Sequence, residues 1–263
     1  MYSPFNQEDA QKQYTQQMDS LPAHELSKNK SDAANSSNSG GFEHILVTLE
    51  GGITTITLNR PKKYNAVNNK MYRELITALK QAGQDDSVVT LLTGAGKYFS
   101  SGNDLSSSLN IPPEERKKKA VEGNQLLREF VSTFIDYPKP IVAAVNGPAI
   151  GISVTLLALL DMVYASDKAT FHTPFTTLGL APEACSSYLF PKIMGQAKAH
   201  EVLLAGKKLT AAEACSYGLV TEVFPQAVFE KEVDKRMKHL AGLPPKSLAL
   251  SKQLCRSAEK EKL

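Results

Sequence analysis

Apolar and polar residues alternate along two short segments that follow a long polar stretch. Residues 44–49 (HILVTL) and 53–58 (ITTITL) are rich in β-branched side chains, and residues 50–52 (EGG) separate them. Alternation with a period of two is typical of strands with one buried face, and a short glycine-bearing connection is typical of a hairpin. The pattern predicts a folded domain that begins near Phe42 with a β-hairpin.

Helical and strand patterns then alternate. Asn68 or Asn69 is predicted to cap a helix, because apolar residues recur at helical spacing after it; they are Met71, Leu75, Ile76, Leu79 and Ala82. The segments that follow are a strand at 88–92, a helix at 114–135, a strand at 141–145, an apolar helix at 151–160 and a strand at 162–165. This order predicts an α/β domain with parallel strand pairing.

Helical patterns dominate the chain after residue 186. Thr210 and Glu213 form a capping box for a helix at 210–217, which Gly218 is expected to end. The remaining predicted elements are a helix at 196–205, a short strand at 219–224 and helices at 226–241 and 245–263. The sequence therefore predicts an α/β front followed by a C-terminal helical region.

The first forty residues are more polar than the rest of the chain. Residues 8–18 predict a polar, weakly amphipathic helix, and residues 21–41 are rich in Ser, Asn, Lys and Asp. Such a composition offers little to bury and predicts a flexible linker.

Composition constrains function more than fold. Apolar residues make up 42% of the 263-residue chain, and 30 basic against 27 acidic side chains give a net charge of +3. So small a charge predicts no nucleic-acid partner. The three cysteines lack the close pairing of zinc sites or disulfide frameworks, so we expect no metal site. The apolar run at 150–160 is too short to span a bilayer, and residues 1–20 show no targeting signal.

Two predicted strands run into glycine-bearing turns, at 93–104 and 146–152. Ligands of open α/β sheets bind beyond the carboxyl ends of the strands, where a starting helix offers free N–H groups. For Gly94 and Gly96 alone, a turn that simply needs glycine is the preferred interpretation. Neither stretch matches GxxxxGK[ST] or GxGxxG, so a nucleotide site has weak support.

Four motifs in order resemble those of the crotonase (enoyl-CoA hydratase/isomerase) superfamily. They are NRPKKYNAV at 59–67, FSSGNDL at 99–105, PKPIVAAVNGPAIG at 138–151 and AEACSYGLV at 212–220. The resemblance extends over residues 42–263 and implies a crotonase-type spiral of β-β-α units with a C-terminal helical region, assembled as a homotrimer. It also implies an acyl-CoA substrate and no cofactor, since CoA enters as part of that substrate.

The resemblance assigns positions to the thioester and to CoA. Two backbone N–H groups hold the thioester oxygen in this family, and the matching positions are Asn103 and Ile152. Because the donors are main-chain groups, side-chain identity at these positions is expected to matter little. The expected CoA and substrate contacts are Lys62, Lys63, Ala66, Ser101, Gly102, Leu105 and Gly151.

The catalytic base is the decisive question, because this fold supports several reactions. The two acidic positions of the hydratases correspond to Thr155 and Phe175, neither of which can transfer a proton. Glu183, within LAPEACSS at 180–187, resembles the catalytic stretch of the peroxisomal-type 3,2-enoyl-CoA isomerases. One carboxylate there is expected to carry a proton from C2 to C4, in 3-cis or 3-trans substrates of fatty-acid β-oxidation.

The environment of Glu183 yields a further expectation. An apolar pocket that raises its pKa is expected, lined by Leu178, Leu180, Ala181 and Ala184. Spacing alone favours another interpretation, in which Pro182 and Glu183 occupy the first turn of a helix. The resemblance reverses that preference.

Rival interpretations remain open. One is a catalytically silent CoA-binding or protein-binding module, like the crotonase-like domain of the chromodomain Y proteins; another is a hydratase that uses an unanticipated acid. His172 is expected to be structural, and Asp104 and Asp161 to be turn or cap residues.

The ends of the chain also carry a resemblance. Residues 6–18 resemble the last helix of an acyl-CoA-binding domain, a module that precedes the isomerase domain in peroxisomal-type enzymes. The predicted organisation is a remnant of that helix at 1–20, a linker at 21–41 and an isomerase domain at 42–263. Family members usually continue through a further helix, so C-terminal truncation of this domain is expected. The resemblance implies location in the peroxisome, the mitochondrion or both.

Overall fold

The computed structural model describes residues 41–107, 112–260 and 262–263. The predicted helix at 8–18, the remnant at 1–20 and all of the 21–41 linker except Gly41 lie outside the described residues. The division into domains therefore stays a prediction.

Six strands form the main sheet in the order β1-β2-β3-β4-β6-β9. The strands of the described residues are β1 (Ile45–Glu50), β2 (Ile53–Leu58), β3 (Val89–Gly94), β4 (Ile141–Val145), β5 (Ala149–Ile150), β6 (Met162–Ser166), β7 (Thr170–His172), β8 (Leu209–Thr210) and β9 (Glu222–Phe224). β1 and β2 pair antiparallel, and every later pair in this sheet is parallel. The predicted hairpin and parallel α/β arrangement are confirmed. A small second sheet, β5-β7-β8, was not predicted.

The helices of the described part are α1 (Asn69–Ala82), α2 (Pro113–Ile135), α3 (Ile152–Thr155), α4 (Ser186–Met194), α5 (Gln196–Leu203), α6 (Ala211–Ser216), α7 (Phe229–Ala241) and α8 (Pro245–Lys260). Local chemistry sets several of their starts. The Asn68 side chain accepts a hydrogen bond from the Met71 N–H at the start of α1, and the predicted capping box of α6 is present. The predicted C-terminal helical region is confirmed.

The predicted helix at 151–160 is wrong in detail. The chain forms one α-helical turn, α3, and then a 3₁₀ segment at Leu156–Leu159. Nearly all of this segment is buried, so packing rather than helix propensity decides its path.

The core lies on both faces of the main sheet. All five residues of β4 are buried, as expected for a parallel strand covered on both sides. The larger apolar cluster includes residues of α1, α2 and α3, and a smaller one packs under α7 around Phe229, Val233 and Met237. The carboxyl ends of β3 and β4 lead into the two glycine-bearing loops.

The last helix, α8, docks through charged groups. None of its residues is buried, yet Lys252 and Arg256 reach Asp161 at 2.8 and 3.0 Å. Asp161 also accepts a hydrogen bond from the Ile141 N–H at 2.8 Å, so it joins α8 to the start of β4, a structural role other than the predicted turn or cap. Among the helices of the described ranges, none is both long and apolar enough to cross a bilayer.

Candidate active site

The two glycine-bearing loops lie against each other through their backbones. Ser100 bridges Ala149, and the Ile150 N–H donates to the Ser100 carbonyl at 3.0 Å. Gly102 makes this approach possible, because it has a φ of +83° and a Cβ there would lie 2.5 Å from the Ile150 carbonyl oxygen. Only glycine fits this position without displacing the backbone.

The N–H groups of Asn103 and Ile152 are left available by this arrangement. The residues on either side of Asn103 pair with Val67. The Val67 N–H donates to the Gly102 carbonyl at 2.8 Å, and the Val67 carbonyl accepts from the Asp104 N–H at 2.9 Å. Ile152 is the first residue of α3, where N–H groups lack an intrahelical acceptor. Among the described residues, neither N–H has a protein acceptor. The loops can therefore present two main-chain donors to a ligand oxygen.

Glu183 lies in the segment before α4, outside the helix. α4 begins at Ser186, whose N–H and Oγ both bond to the Glu183 carbonyl, at 3.1 and 2.7 Å. Between them, Ala184 and Cys185 both adopt positive φ, at 51° and 59°. The alternative interpretation of Glu183 as a first-turn helical residue is therefore wrong.

The carboxyl of Glu183 is suited to exchange a proton near neutrality. Desolvation by the surrounding protein raises its pKa to about 7, and a hydrogen bond from Asn103 Nδ2 to Oε1, at 3.4 Å, partly opposes that rise. Within the described residues nothing donates to Oε2, so that oxygen is available to a ligand.

The predicted rise in pKa is confirmed, and the residues predicted to line the carboxyl differ in exposure. Ala184 is buried and Leu178 is half-buried, whereas Leu180 and Ala181 are exposed. The hydrogen bonds at this carboxyl come from residues far away in sequence: Asn103 donates to Glu183, and Tyr72 donates to Asn103.

The side chain of Asn103 also corrects an expectation. We expected its identity to matter little, but its amide contacts Glu183 on one side and the hydroxyl of Tyr72 on the other. Sequence analysis did not single out Tyr72. The available signal was its polar hydroxyl on the helix face that also carries Met71 and Leu75.

Several of the predicted CoA-contacting residues lie in segments that are bonded to residues 99–105, called the oxyanion loop below because they include the proposed donor Asn103. The Ser101 N–H donates to the Tyr64 carbonyl at 2.9 Å, and Arg60 links the Ala66 carbonyl to the Asp104 carboxylate. Gly102 and Gly151 belong to the facing loops already described. Leu105 follows in a 3₁₀ turn, and Lys62 and Lys63 are exposed beside Tyr64. Their contacts with CoA stay predictions.

Other candidate residues have structural surroundings. The Thr155 hydroxyl donates to the Ile152 carbonyl and is fully buried, and Phe175 is also buried. His172 ends β7, its carbonyl accepts from the Gly151 N–H, and burial lowers its pKa. Asp104 accepts from the Ser106 N–H and hydroxyl in a local turn, as predicted. In the described ranges, no His, Cys, Asp and Glu side chains cluster in a way that could hold a metal ion.

A model of the enoyl-CoA hydratase/isomerase family matches residues 48–263, and the chain therefore belongs to this family. Its α/β architecture is the crotonase-type fold: a solved enoyl-CoA hydratase/isomerase from Pseudoalteromonas atlantica T6c superposes with a TM-score of 0.76 at 40% identity, covering 84% of this chain and 85% of that one.

The curated relatives that it matches include two enoyl-CoA delta isomerases. Enoyl-CoA delta isomerase 2 of Homo sapiens is 56% identical over 97% of this chain and 65% of that protein. Enoyl-CoA delta isomerase 3, peroxisomal, of Mus musculus is 52% identical over 97% of this chain and 80% of that protein. Chromodomain Y-like protein of Homo sapiens matches at 43% identity over 84% of this chain and 37% of that protein. The chain thus spans about two thirds of the length of the human isomerase.

Proposed function

We propose that this chain is a Δ3-Δ2-enoyl-CoA isomerase, which converts 3-cis-enoyl-CoA or 3-trans-enoyl-CoA to 2-trans-enoyl-CoA in fatty-acid β-oxidation. The observation that carries the proposal is a single carboxyl, Glu183, whose pKa is raised to about 7 and which is bonded to the oxyanion-loop residue Asn103. Thr155 and Phe175 occupy the positions where a hydratase of this family has acids. The two relatives named enoyl-CoA delta isomerase support the same reaction.

In the proposed mechanism, ionised Glu183 removes a proton from C2 of the 3-enoyl-CoA. The C–H electron pair moves into the C1–C2 bond, and negative charge develops on the thioester oxygen of a dienolate. The main-chain N–H groups of Asn103 and Ile152 stabilise that charge, and a preorganised donor of this kind is worth roughly 2.7–4 kcal/mol.

The second half of the reaction returns the same proton to C4. The carboxyl of Glu183 protonates C4, the former C3–C4 double bond supplies the electron pair, and a C2–C3 double bond remains. No atom is gained or lost and there is no net oxidation, so the proposed reaction calls for no redox cofactor. CoA arrives and leaves as part of the acyl thioester.

We assign the CoA moiety to the side of the oxyanion loop that faces residues 60–66. Lys62 and Lys63 are exposed there and offer positive charge to phosphate groups. Ala66 and Leu105 are assigned to the adenine, and Ser101, Gly102 and Gly151 to the thioester end. Hydrogen bonds between these segments support a continuous surface.

The proposed assembly is a homotrimer without a nucleic-acid partner. Leu250 and Leu254 of α8 are 55% and 67% exposed, which supports a further subunit on this surface. The near balance of charges gives no support to nucleic-acid binding. The mouse relative named as peroxisomal supports the peroxisome as location, with the mitochondrion as the alternative.

The test is conversion of 3-hexenoyl-CoA to 2-hexenoyl-CoA by the wild-type chain, by Glu183→Gln and by Glu129→Gln. Glu129 forms an exposed ion pair with Lys80 and controls for loss of a charge. Glu183→Gln is expected to lose turnover while it retains binding of CoA ligands, and Glu129→Gln is expected to keep turnover. Tight binding without turnover by the wild type would favour the silent binding module instead.

A further inference from the structure

A buried tyrosine reaches the candidate base through one intervening side chain. Tyr72, on α1, is 6% exposed, and its hydroxyl donates to Asn103 Oδ1 at 2.5 Å. Asn103 Nδ2 in turn donates to Glu183 Oε1 at 3.4 Å. A helix, the oxyanion loop and the segment before α4 are thus joined by a single chain of hydrogen bonds.

The direction of this chain follows from the chemistry of the amide. A carboxamide has one acceptor end and one donor end. Because the Tyr72 hydroxyl occupies the acceptor end of Asn103, the NH₂ end faces the carboxylate. If the amide turned over, its oxygen would face the Glu183 oxygen, and its NH₂ group could only donate to the Tyr72 oxygen, which would leave the buried tyrosine proton without its acceptor.

Tyr72 keeps its proton throughout the working range. Burial, together with the nearby Glu183 carboxylate, raises the pKa of the Tyr72 hydroxyl well above its usual 10. It therefore remains a donor at every pH at which Glu183 titrates.

We propose that Tyr72 is a positioning residue for the isomerase reaction, which fixes the Asn103 amide so that it donates to Glu183 and holds the ionised carboxylate in place. This inference rests on the proposed function. Tyr72 acts through Asn103 and touches no reacting atom. Its removal is expected to act on the ionisation of Glu183 more than on substrate binding.

A purely structural role is the competing explanation. The Tyr72 ring packs edge-on against Phe130 with centroids 4.7 Å apart, and Phe130 packs in the same manner against Phe134. Tyr72→Phe preserves this ring packing and removes only the hydroxyl. An effect of this variant on the titration of Glu183 therefore comes from the hydroxyl and not from the ring packing.

The other groups near Glu183 leave this titration simple to interpret. Tyr72 approaches from α1 and Asn103 from the oxyanion loop. Cys185, on the same segment as Glu183, directs its thiol to the Leu263 carbonyl at 3.4 Å. Glu183 forms no salt bridge with any residue of the described ranges.

The first experiment compares pH profiles of kcat/KM for the wild type, Tyr72→Phe and Tyr137→Phe. Tyr137 is the matched control, because it is equally buried and its hydroxyl bonds to Thr90, away from Glu183. In Tyr72→Phe the Asn103 amide loses the partner that orients it. Loss of the Asn103 hydrogen bond to ionised Glu183 is then expected to move the acid limb upward by about half to one pH unit, with KM little changed. Tyr137→Phe is expected to leave the limb in place. Equal limbs in all three proteins would overturn the proposal.

A second comparison tests the route through Asn103. Asn103→Ala keeps the main-chain N–H but removes the amide, so it is expected to raise the acid limb by itself. Adding Tyr72→Phe should then cause no further shift. An undiminished shift in the Asn103→Ala background would show that Tyr72 acts by another route.

A third readout separates this inference from the proposed function. The titration of Glu183 is followed by the ¹³C shift of its carboxyl carbon in the free protein, assigned with Glu183→Gln, and it requires no turnover. An upward shift in Tyr72→Phe of an inactive protein would support positioning while contradicting the isomerase. An active Tyr72→Phe protein with an unchanged titration would contradict positioning alone.

A further variant covers the case in which Tyr72→Phe does not fold. Replacing Tyr72 by 3-fluorotyrosine retains the ring and makes the hydroxyl a stronger donor. The Glu183 titration is expected to move to lower pH, and no movement would count against the proposal.

Discussion

The oxyanion side of the candidate site and its carboxylate side are built from different kinds of interaction. Main-chain hydrogen bonds join the two loops of the oxyanion side, around Ser100, Gly102 and Ile150. On the carboxylate side, one hydrogen bond of 3.4 Å from Asn103 reaches the Glu183 side chain. The first arrangement positions backbone atoms through main-chain bonds, whereas the second positions a carboxylate through side chains.

This difference matches the proposed chemistry. Donors that stabilise a developing charge are effective because they do not reorganise during the reaction. A base that serves both C2 and C4 has to reach two carbons from one backbone position. The proposed site therefore combines two donors positioned by main-chain hydrogen bonds with a carboxylate positioned by side chains.

The largest expected effect comes from disrupting the close backbone contact between the two loops of the oxyanion side. In Gly102→Ala, the new Cβ meets the Ile150 carbonyl and the positive φ becomes strained, so the Asn103 N–H is displaced. We expect kcat to fall about 10²–10³-fold, measured with 3-hexenoyl-CoA. The control is Gly123→Ala on α2, where a Cβ has no heavy atom within 4 Å. Wild-type kcat in Gly102→Ala would contradict the assigned role of this loop.

The pH dependence of kcat/KM tests the ionisation of Glu183 on the carboxylate side. Glu183 acts as a base only when ionised, and its pKa is about 7. We therefore expect kcat/KM to rise tenfold per pH unit below 7, to level off above about 8, and to lie about 100-fold below its plateau at pH 5. A flat profile between pH 5 and 8 would exclude Glu183 as the titrating base.

The stability of Glu183→Gln sharpens the comparison further. The folded pKa of Glu183 lies above its unfolded value of 4.5, so between pH 4.5 and 7 the folded state keeps a proton that the unfolded state has released. The free energy of unfolding of the wild type therefore falls as the pH rises through this window. Glu183→Gln is expected to be more stable than wild type by about 1–3 kcal/mol at pH 8, with the gain vanishing below pH 4.5.

Chemical denaturation of both proteins at pH 4 and pH 8 provides the measurement. Glu129→Gln, which lacks an exposed carboxylate, should show no comparable gain at pH 8. A gain of equal size at both pH values would mean that the linkage to Glu183 ionisation is wrong.

The smallest expected effect comes from removing side-chain hydrogen bonds between the two loops of the oxyanion side without adding a steric clash. Ser153 is buried, and its Oγ bonds to the Ser100 carbonyl and to the Ile150 N–H and carbonyl. Ser153→Ala is expected to lower the free energy of unfolding by about 1–2 kcal/mol and kcat by a few-fold. Ser257→Ala, on exposed α8, is the control and should change neither quantity. An effect confined to KM would point to a different role for Ser153.

The sequence predicted the elements whose patterns are local and repeated. The hairpin, α1 with its Asn68 cap, and the capping box at Thr210 follow from spacing and cap chemistry, and the structure confirms them. The small β5-β7-β8 sheet was missed because strands of two or three residues are too short to show a period. The 3₁₀ segment after α3 depends on packing, which the local pattern does not contain.

The carboxylate side was harder to predict for a physical reason. Pro182 and Glu183 suit the first turn of a helix as well as a loop, and only the positive φ of Ala184 and Cys185 separates Glu183 from α4. Non-glycine residues adopt such angles when tertiary packing requires them. The contact between Asn103 and Glu183 joins residues 80 positions apart and has no local signature.

Asn103 presents its backbone and its side chain to different partners. The N–H proposed as an oxyanion donor persists whatever non-proline side chain stands at this position, whereas the side-chain amide bonds, among the described residues, to Glu183 and Tyr72. Under the proposed roles, a substitution at position 103 would change the pKa of the base and leave the main-chain donor in place. The pH at which the enzyme works could then change during evolution through one substitution, with the fold and the main-chain donors kept.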